Sequence, residues 1–438
     1  MFGYMKHILI LKGAIAVIAI FGIVFVIAAQ PVSAIEIKFR SFSGAAAIGP
    51  PADDYGAKLE SITKTTLGKK GTVKFTKISP RPAVPKQFKK NIVAAVGAGA
   101  SGGGFDAAYI SGSTLNKAWG FIYNSGVPFG PNFDEFLGFV YGKSVDNGRQ
   151  IGLDLLQSTL DKRKKNVVAI PIVGSSHQGS GYFMKPIGDT ESMSGIGLKG
   201  LCQEKWTFRY LPPAQDVLDL SCDNLVAKGV IPKKNINFVT AVAGGKIIKE
   251  IIAGKVQAFE FATPLDDMSV LFSPKGNPGT VGARYWHFPG WHQPFLVTYM
   301  IVNKKVWNKL TEAQKTLVMS VGRDHVASSY GENLRQQGGK LQEILNANKK
   351  DADKKNDIVL VRWPDSDLKL LKDATIQFLN ARADDQKLKK EDREDYKEIL
   401  NAFREYVSNN NGYWKVRNVP TTFRFSDWLD KEGKKSWD

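Results

Sequence analysis

Glu260 is the residue whose chemistry most needs an explanation, because it stands inside an apolar stretch. The segment 253–267 reads AGKVQAFEFATPLDD, and residues 256–261 have the pattern of a buried strand. A carboxylate in such a strand must be paired with a cationic side chain, coordinated to a bound cation, or protonated. The residues alone leave open whether Glu260 belongs to a binding site or to a structural ion pair.

No constellation of catalytic residues is found in the sequence. It contains no H-E-x-x-H motif, and the glycine-rich segment 97–104 is not followed by G-K-S or G-K-T. The histidines are too few and too scattered for a metal cluster: they are His7, His177, His287, His292 and His325. His287 and His292 lie in an aromatic loop, where packing or ligand contact is expected before metal binding. We therefore expect a protein that is not an enzyme and has no catalytic cofactor.

Residues 1–34 have the pattern of a secretory signal peptide. Lys6 and Lys12 flank the start of an apolar run at 13–29, and residues 32–34 (VSA) supply small side chains before Ile35. An uncleaved membrane anchor is the alternative, since the apolar run is near the lower limit for crossing a bilayer. The cleavage pattern favours processing, so we expect an exported mature protein.

The chain is strongly basic, with a formal net charge of +18; subtracting Lys6 and Lys12 of the signal peptide leaves +16. Such a charge suits nucleic acid, an anionic membrane surface or anionic ligands. The lysines are scattered in pairs, without a basic arm or interleaved aromatic residues, so no nucleic-acid partner is expected. The densest cluster, residues 162–165 (KRKK), is interpreted as a solvated turn.

The two cysteines, Cys202 and Cys222, allow two interpretations. In an oxidising compartment they could form a disulfide that closes a loop of about 20 residues and contributes roughly 3 kcal/mol. They could also be two separate buried thiols. We favour the disulfide, and no metal site is expected because neither cysteine has a histidine or cysteine at ligand spacing.

Strands and helices alternate along the chain. Strands are predicted at 35–41, 71–78 and 105–110, with helices at 57–66 and 86–96 between them. This order is typical of an α/β lobe with a mainly parallel sheet, and later residues repeat it in a second lobe.

A long helix is predicted in the last third of the chain. Thr311 and Gln314 have the spacing of a capping box, which opens a helical pattern that continues to about residue 337. The glycine pair at 338–339 predicts an interruption, after which a second helical segment extends to about residue 348.

Several short motifs share one order and spacing over nearly all of the mature chain. They are residues 105–109 (FDAAY), 127–130 (VPFG), 178–183 (QGSGYF), 198–201 (LKGL), Arg209, 254–260 (GKVQAFE), 289–292 (PGWH) and 303–304 (NK). Each is weak alone. Together they resemble the solute receptors of TRAP (tripartite ATP-independent periplasmic) transporters, in the branch that binds 2-oxo acids and similar small carboxylates.

The resemblance implies an α/β, two-lobed periplasmic binding protein fold, in which each lobe is a mixed, mainly parallel sheet flanked by helices. Residues 35–170 would form the first lobe and 171–264 the second, each completed by part of 265–438. The long helical segment, residues 306–348, would span both lobes. Residues 349–438 would add helices that pack on the lobes.

The resemblance also assigns roles to site residues. Arg209 would take the substrate carboxylate in a two-pronged hydrogen bond, a geometry that lysine cannot supply. Gln178, Glu260 and the backbone carbonyl of Phe261 would ligate a cation, Na⁺ or Ca²⁺, that bridges protein and substrate. Alternatively, Arg209 is only the structural partner of Glu260, and the sequence leaves this open.

The implied pocket walls are Tyr109, Phe261 and Trp291. Phe261 stands where this branch often has tryptophan, and Ser180 and Tyr182 stand where it usually has glycine and tryptophan. These departures leave the identity of the substrate open.

The implied function is that of a periplasmic receptor. It would close over a small organic acid, with a 2-oxo or 2-hydroxy monocarboxylate favoured, and deliver it to the membrane permease subunits of the transporter. The alternatives are an exported carboxylate-processing enzyme and a receptor for a dicarboxylate, a sulfonate or an amino acid. Homodimers occur in this branch, and the sequence does not decide the oligomeric state.

Overall fold

The structure is a computed structural model that describes residues 33–41, 49–79, 83–88, 91–144, 148, 150–190, 193–239, 249–251, 253–271, 282–348 and 357–417. The predicted signal peptide, residues 1–34, lies outside these ranges except for its last two residues. No helix within them is long and apolar enough to cross a bilayer.

The described strands form two sheets. They are β1 (Ile35–Ser41), β2 (Val73–Lys77), β3 (Ala107–Ser111), β4 (Val167–Ser175), β5 (Gly181–Phe183), β6 (Trp206–Arg209), β7 (Ile236–Phe238), β8 (Ala258–Phe259), β9 (Tyr285–Phe288), β10 (Leu296–Asn303) and β11 (Val359–Arg362). The strand order is β2-β1-β3-β10-β4 in the first sheet and β11-β9-β5-β8-β6-β7 in the second.

Helices cover both sheets. They are α1 (Gly49–Leu67), α2 (Ile92–Ala98), α3 (Gly120–Ser125), α4 (Phe133–Tyr141), α5 (Ile151–Lys162), α6 (Gly197–Gln203), α7 (Ala214–Ala227), α8 (Pro264–Val270), α9 (Lys304–Trp307), α10 (Glu312–Asn348), α11 (Asp365–Arg382) and α12 (Lys390–Arg417).

Both sheets mix parallel and antiparallel pairs. In the first, β1 runs parallel to β2 and β3, while β10 runs antiparallel to β3 and β4. In the second, β6 is parallel to β7 and β8, and β5 is antiparallel to β8 and β9. All nine residues of β4 are buried, as expected for a strand covered on both faces. The predicted α/β class with two mixed sheets flanked by helices is confirmed.

Along the described strands, the chain crosses from one sheet to the other three times. One crossing connects β4 to β5, a second connects β9 to β10, and the third is the long helix α10. Strand β4 continues across residue 170, which was the predicted boundary between the two lobes. The predicted division of the chain into lobes remains a prediction.

Helix α10 begins beside the first sheet and ends beside the second. The Thr311 amide donates to Gln314 Oε1 at 2.9 Å and the Gln314 amide donates to Thr311 Oγ1 at 3.3 Å, which confirms the predicted capping box. Near its other end, Ile344 is buried in the cluster that contains Phe259 and Trp286 of the second sheet. The predicted interruption at 338–339 is wrong, because the helix is continuous there. Both glycines face open space, so packing at the two ends of the helix outweighs their weak helix propensity.

Part of the basic cluster at 162–165 holds helix α12 in place. Arg163 donates through Nε and Nη2 to the two carboxylate oxygens of Asp395, each at 2.8 Å. Lys162 Nζ lies 3.2 Å from Glu398 Oε2. The side chain of Asp395 is fully buried, so this cluster is an anchor for the C-terminal helix as well as a turn.

Cys202 and Cys222 form a disulfide that joins α6 to α7. Both residues are fully buried, so the bond lies inside the second lobe.

Candidate functional site

Arg209 and Glu260 meet at one edge of the second sheet. Arg209 ends β6, and the neighbouring parallel strand β8 ends at Phe259, which pairs with Arg209 in register. Strand β8 is shorter than the predicted strand 256–261, so Glu260 is the first residue beyond it. The carboxyl ends of parallel strands are where α/β sheets commonly place ligand-binding residues.

The two side chains form a buried ion pair. Arg209 Nη1 donates to Glu260 Oε2 at 2.7 Å and to the Glu260 carbonyl oxygen at 2.5 Å. Relative exposures are 7% for Arg209 and 2% for Glu260. Burial raises the pKa of the Glu260 carboxyl to about 7, although Arg209 acts in the opposite direction. Glu260 therefore has the cationic partner that its apolar surroundings require.

An aromatic wall stands next to this ion pair. Tyr210 follows Arg209 in the chain, and its hydroxyl lies 3.2 Å from His292 Nδ1. Trp291 packs edge-to-face against Tyr210, with ring centroids 6.0 Å apart, and stacks on Phe129 at 5.6 Å. The Phe129 amide donates to the Trp291 carbonyl at 2.9 Å, which attaches this loop to the first lobe.

Gln178 lies on the connection from β4 to β5, against the connection from β9 to β10. Its backbone amide is 3.5 Å from the carbonyl oxygen of Gln293. A Cβ atom at position 290 would lie 1.9 Å from the Gln178 carbonyl oxygen, so only glycine allows these two connections to approach so closely. Gln178, Trp291 and His292 therefore lie on the two loops that cross between the sheets.

Four atoms in this region are buried and have no hydrogen-bond partner among the described residues. They are Arg209 Nε, Gln178 Oε1, Trp291 Nε1 and His292 Nε2. Buried polar atoms in folded proteins are nearly always hydrogen bonded, so several unpartnered ones in one region indicate a place for a ligand. The guanidinium N–H suits an anion, whereas the amide oxygen suits a cation.

The residues present fit the predicted cation. Within the described ranges, no group of three or more His, Cys, Asp or Glu residues could hold a metal ion. The predicted site does not need such a group, because it combines one carboxylate, Glu260, with neutral oxygens from Gln178 and the Phe261 backbone. The unpartnered Gln178 Oε1 is a hard oxygen donor of the kind that Na⁺ and Ca²⁺ prefer.

The other two predicted wall residues lie in packed surroundings. Tyr109 is fully buried in the core of the first lobe, and its hydroxyl is 2.6 Å from Thr298 Oγ1. Phe261 is half-buried and packs against the cluster that contains Phe259 and Trp286. In this structure both side chains serve packing, and their roles as pocket walls remain predictions.

Asp267 supports the turn that follows Glu260. Its Oδ1 accepts the Ala262 amide at 3.2 Å and its Oδ2 accepts the Tyr182 hydroxyl at 2.8 Å. Burial raises the pKa of Asp267 well above its ordinary range. The carboxyl group therefore holds the start of α8 against β5.

Arg209, Glu260, Trp291 and His292 are all buried, with exposures of 7% or less. A groove of about 750 Å³ between α4, α5 and α12 contains none of the predicted site residues. Sequence reasoning missed Tyr210 and Phe129; for Tyr210 the available signal was an aromatic residue directly after the arginine.

No protein-family model matches the sequence. A monocarboxylate 2-oxoacid-binding periplasmic protein from Nostoc sp. is 22% identical over 196 residues, which span 45% of this chain and 43% of that protein. The match therefore covers less than half of the relative.

Solved structures match over most of the chain. A TRAP transporter solute binding protein from Bordetella bronchiseptica, with copurified calcium and picolinate, has a TM-score of 0.63 at 16% identity and covers 88% of this chain and 95% of its own. One from Colwellia psychrerythraea, with bound calcium and pyruvate, gives 0.62 at 17%, covering 87% and 96%. One from Pseudoalteromonas atlantica, with bound sodium and pyruvate, gives 0.62 at 14%, covering 91% and 99%. The chain has the fold of these TRAP solute-binding proteins.

Proposed function

We propose that this chain, which has the fold of the TRAP solute-binding proteins, is an extracytoplasmic receptor for a small organic acid. It binds a 2-oxo or 2-hydroxy monocarboxylate between its lobes and delivers it to a membrane permease. The observation that carries the proposal is the Arg209 guanidinium, which is buried, oriented by Glu260, and has an Nε without a partner among the described residues.

Arg209 can hold two carboxylates at once. Nη1 already donates to Glu260, which fixes the plane of the guanidinium. The Nε edge remains available, and a guanidinium edge offers parallel N–H groups that match the two oxygens of a carboxylate. Glu260 is thus a positioning residue for Arg209.

A cation would be held by Gln178 Oε1, the Glu260 carboxylate and the Phe261 carbonyl. When bound, it would supply positive charge to an oxygen of the organic acid. The relatives from Colwellia and Pseudoalteromonas contain pyruvate with calcium and with sodium, respectively, which supports this part of the proposal.

Binding and release would follow from the motion of the two lobes. Gln178 lies on one connection between the sheets, and Trp291 and His292 lie on the other. Closure of the lobes would bring these side chains onto the bound acid and exclude water, and opening would release it to the permease. The predicted signal peptide and the disulfide both fit an exported, oxidising location.

Thermal unfolding of the mature protein, treated with chelator and dialysed, tests the proposal. The panel contains 2-oxo acids, 2-hydroxy acids, dicarboxylates, sulfonates and amino acids, each with and without Ca²⁺ or Na⁺. A ligand at 100 times its dissociation constant adds about 2.7 kcal/mol to the free energy of unfolding. We expect stabilisation by a 2-oxo or 2-hydroxy monocarboxylate that requires the cation.

Two other results would change the account. Stabilisation by dicarboxylates or sulfonates without a cation would still support a receptor function but would contradict the bridging cation. No stabilisation by any acid would contradict the proposed ligand class. Recovery of the bound acid unchanged after long incubation, measured by NMR, separates a receptor from a carboxylate-processing enzyme.

A further inference from the structure

The two buried histidines of the 285–292 segment are bonded differently. His287 uses both ring nitrogens: Nε2 accepts the Ile187 amide at 2.8 Å, and Nδ1 lies 3.0 Å from the Tyr285 carbonyl oxygen. His292 uses only Nδ1, at 3.2 Å from the Tyr210 hydroxyl. Its Nε2 is buried without a partner among the described residues, although the residue is only 5% exposed. Packing accounts for His287 but leaves His292 unexplained.

The contact with Tyr210 determines which ring nitrogen of His292 carries the proton. Burial raises the pKa of Tyr210 well above its ordinary range, so the hydroxyl keeps its proton. If Nδ1 carried the proton, it would donate to the phenol oxygen and leave the buried phenol proton without an acceptor among the described residues; the phenol is therefore assigned as the donor and Nδ1 as the acceptor. Burial, assisted by the charge of Arg209, lowers the pKa of His292 to about 3 and keeps the ring neutral. A neutral ring that accepts at Nδ1 carries its proton on Nε2, which is therefore a donor.

His292 lies close enough to Arg209 for the guanidinium charge to act on it. Its Nε2–H, Trp291 Nε1–H and Arg209 Nε–H are all buried donors without partners among the described residues. With a carboxylate on Arg209, the other two buried donors would still need acceptors, which the rest of the ligand would supply. These two N–H donors suit an acceptor oxygen in that part of the ligand. They disfavour an ammonium group, because its own N–H bonds would point at theirs.

We propose that His292 is a specificity-determining residue, whose Nε2–H donates to an acceptor oxygen of the bound acid next to its carboxylate, with Tyr210 as the positioning residue that fixes the tautomer. This inference rests on the proposed function. The protein should distinguish acids by the group on the carbon beside the carboxylate. It should bind acids with an oxygen there most tightly, bind acids with only hydrogen there more weakly, and not bind acids with an ammonium group.

The test compares pyruvate, lactate, propionate and alanine, which differ at that one carbon. Their dissociation constants are measured by calorimetry with Ca²⁺ present, on the wild type, His292→Phe, His292→Gln and the control His177→Phe, which changes an exposed histidine. The propionate-to-pyruvate ratio of dissociation constants should fall about tenfold in His292→Phe, the loss typical of one hydrogen bond. Glutamine carries an amide N–H that reaches the Nε2 position, so His292→Gln should recover part of the ratio, and His177→Phe should leave it unchanged.

A ratio that is unchanged in His292→Phe, or a variant that weakens all four ligands equally, would overturn the role of His292 while leaving the receptor intact. Wild-type protein that binds none of the acids would overturn both. If the phenylalanine variant does not fold, Tyr210→Phe should still lower the ratio, because the tautomer is no longer fixed. Long-range ¹H–¹⁵N NMR of the wild type should show the proton on His292 Nε2 from pH 5 to pH 8; a proton on Nδ1 would refute the inference.

Discussion

The substitution Glu260→Gln should remove a pH dependence from the stability of the ligand-free protein. Burial raises the pKa of Glu260 from its ordinary value of 4.5 to about 7. The unfolded chain releases this proton near pH 4.5, whereas the folded protein holds it until about pH 7. The folded state therefore binds more protons between these values, and its stability falls as the pH rises through that window.

The two pKa values set the size of the effect. A difference between about 7 and 4.5 corresponds to a loss of up to about 3 kcal/mol in the free energy of unfolding. Other groups also titrate in this range, so the useful quantity is the difference between wild type and Glu260→Gln at each pH. Moving from pH 4.5 to pH 8 should shift that difference in favour of the glutamine variant by up to about 3 kcal/mol.

Urea unfolding at half-unit pH steps measures this difference, with Glu312→Gln as a control on an exposed acid of α10. Addition of Ca²⁺ should reduce the pH dependence of the wild type, because a bound cation favours the charged carboxylate. It should not affect the glutamine variant. Parallel stability curves for wild type and Glu260→Gln between pH 4.5 and 8 would refute the reasoning.

Three further substitutions test the scaffold by chemical unfolding. Arg163→Ala should cost about 2 kcal/mol, because it leaves the buried carboxylate of Asp395 without its two-pronged partner; a loss below about 0.5 kcal/mol would contradict the anchoring role. Replacing Cys202 and Cys222 together by serine should cost about 3 kcal/mol for a loop of this size, and unchanged stability would contradict it. Asn333→Ala should cost about 2–3 kcal/mol, because its Oδ1 accepts three hydrogen bonds from Ser175, at the end of β4, and Ser176, directly after it; an unchanged urea midpoint would count against this.

Local patterns in the sequence were enough to predict much of the fold. Alternating strand and helix patterns predicted the α/β class, and the spacing of Thr311 and Gln314 placed the start of α10. The glycines at 338–339 were misleading, because helix propensity is a weak local signal and both ends of α10 are fixed by distant contacts. The anchoring role of the basic cluster could not be predicted either, because it depends on a distant contact: Asp395 is 232 residues away from Arg163.

The candidate site was predictable to the extent that it depends on adjacent strands and on a family resemblance. Arg209 and Glu260 come together because each follows or ends one of two neighbouring parallel strands. The pairing of Tyr210 with His292 could not be predicted, since these residues are 82 positions apart and meet only because the β9–β10 connection crosses between the lobes. Which polar atoms lack partners is also decided by packing, and no residue pattern encodes it.

The central claim is that Arg209 binds the carboxylate of a small organic acid, and calorimetric titration of pyruvate into wild-type and Arg209→Lys protein tests it most directly. Lysine keeps the charge but loses the second prong and the oriented Nε edge. We expect one molecule bound per chain in the presence of Ca²⁺, and affinity about a hundredfold weaker in the lysine variant, which corresponds to about 2.7 kcal/mol. Equal affinities in the two proteins would place the carboxylate elsewhere and contradict the account.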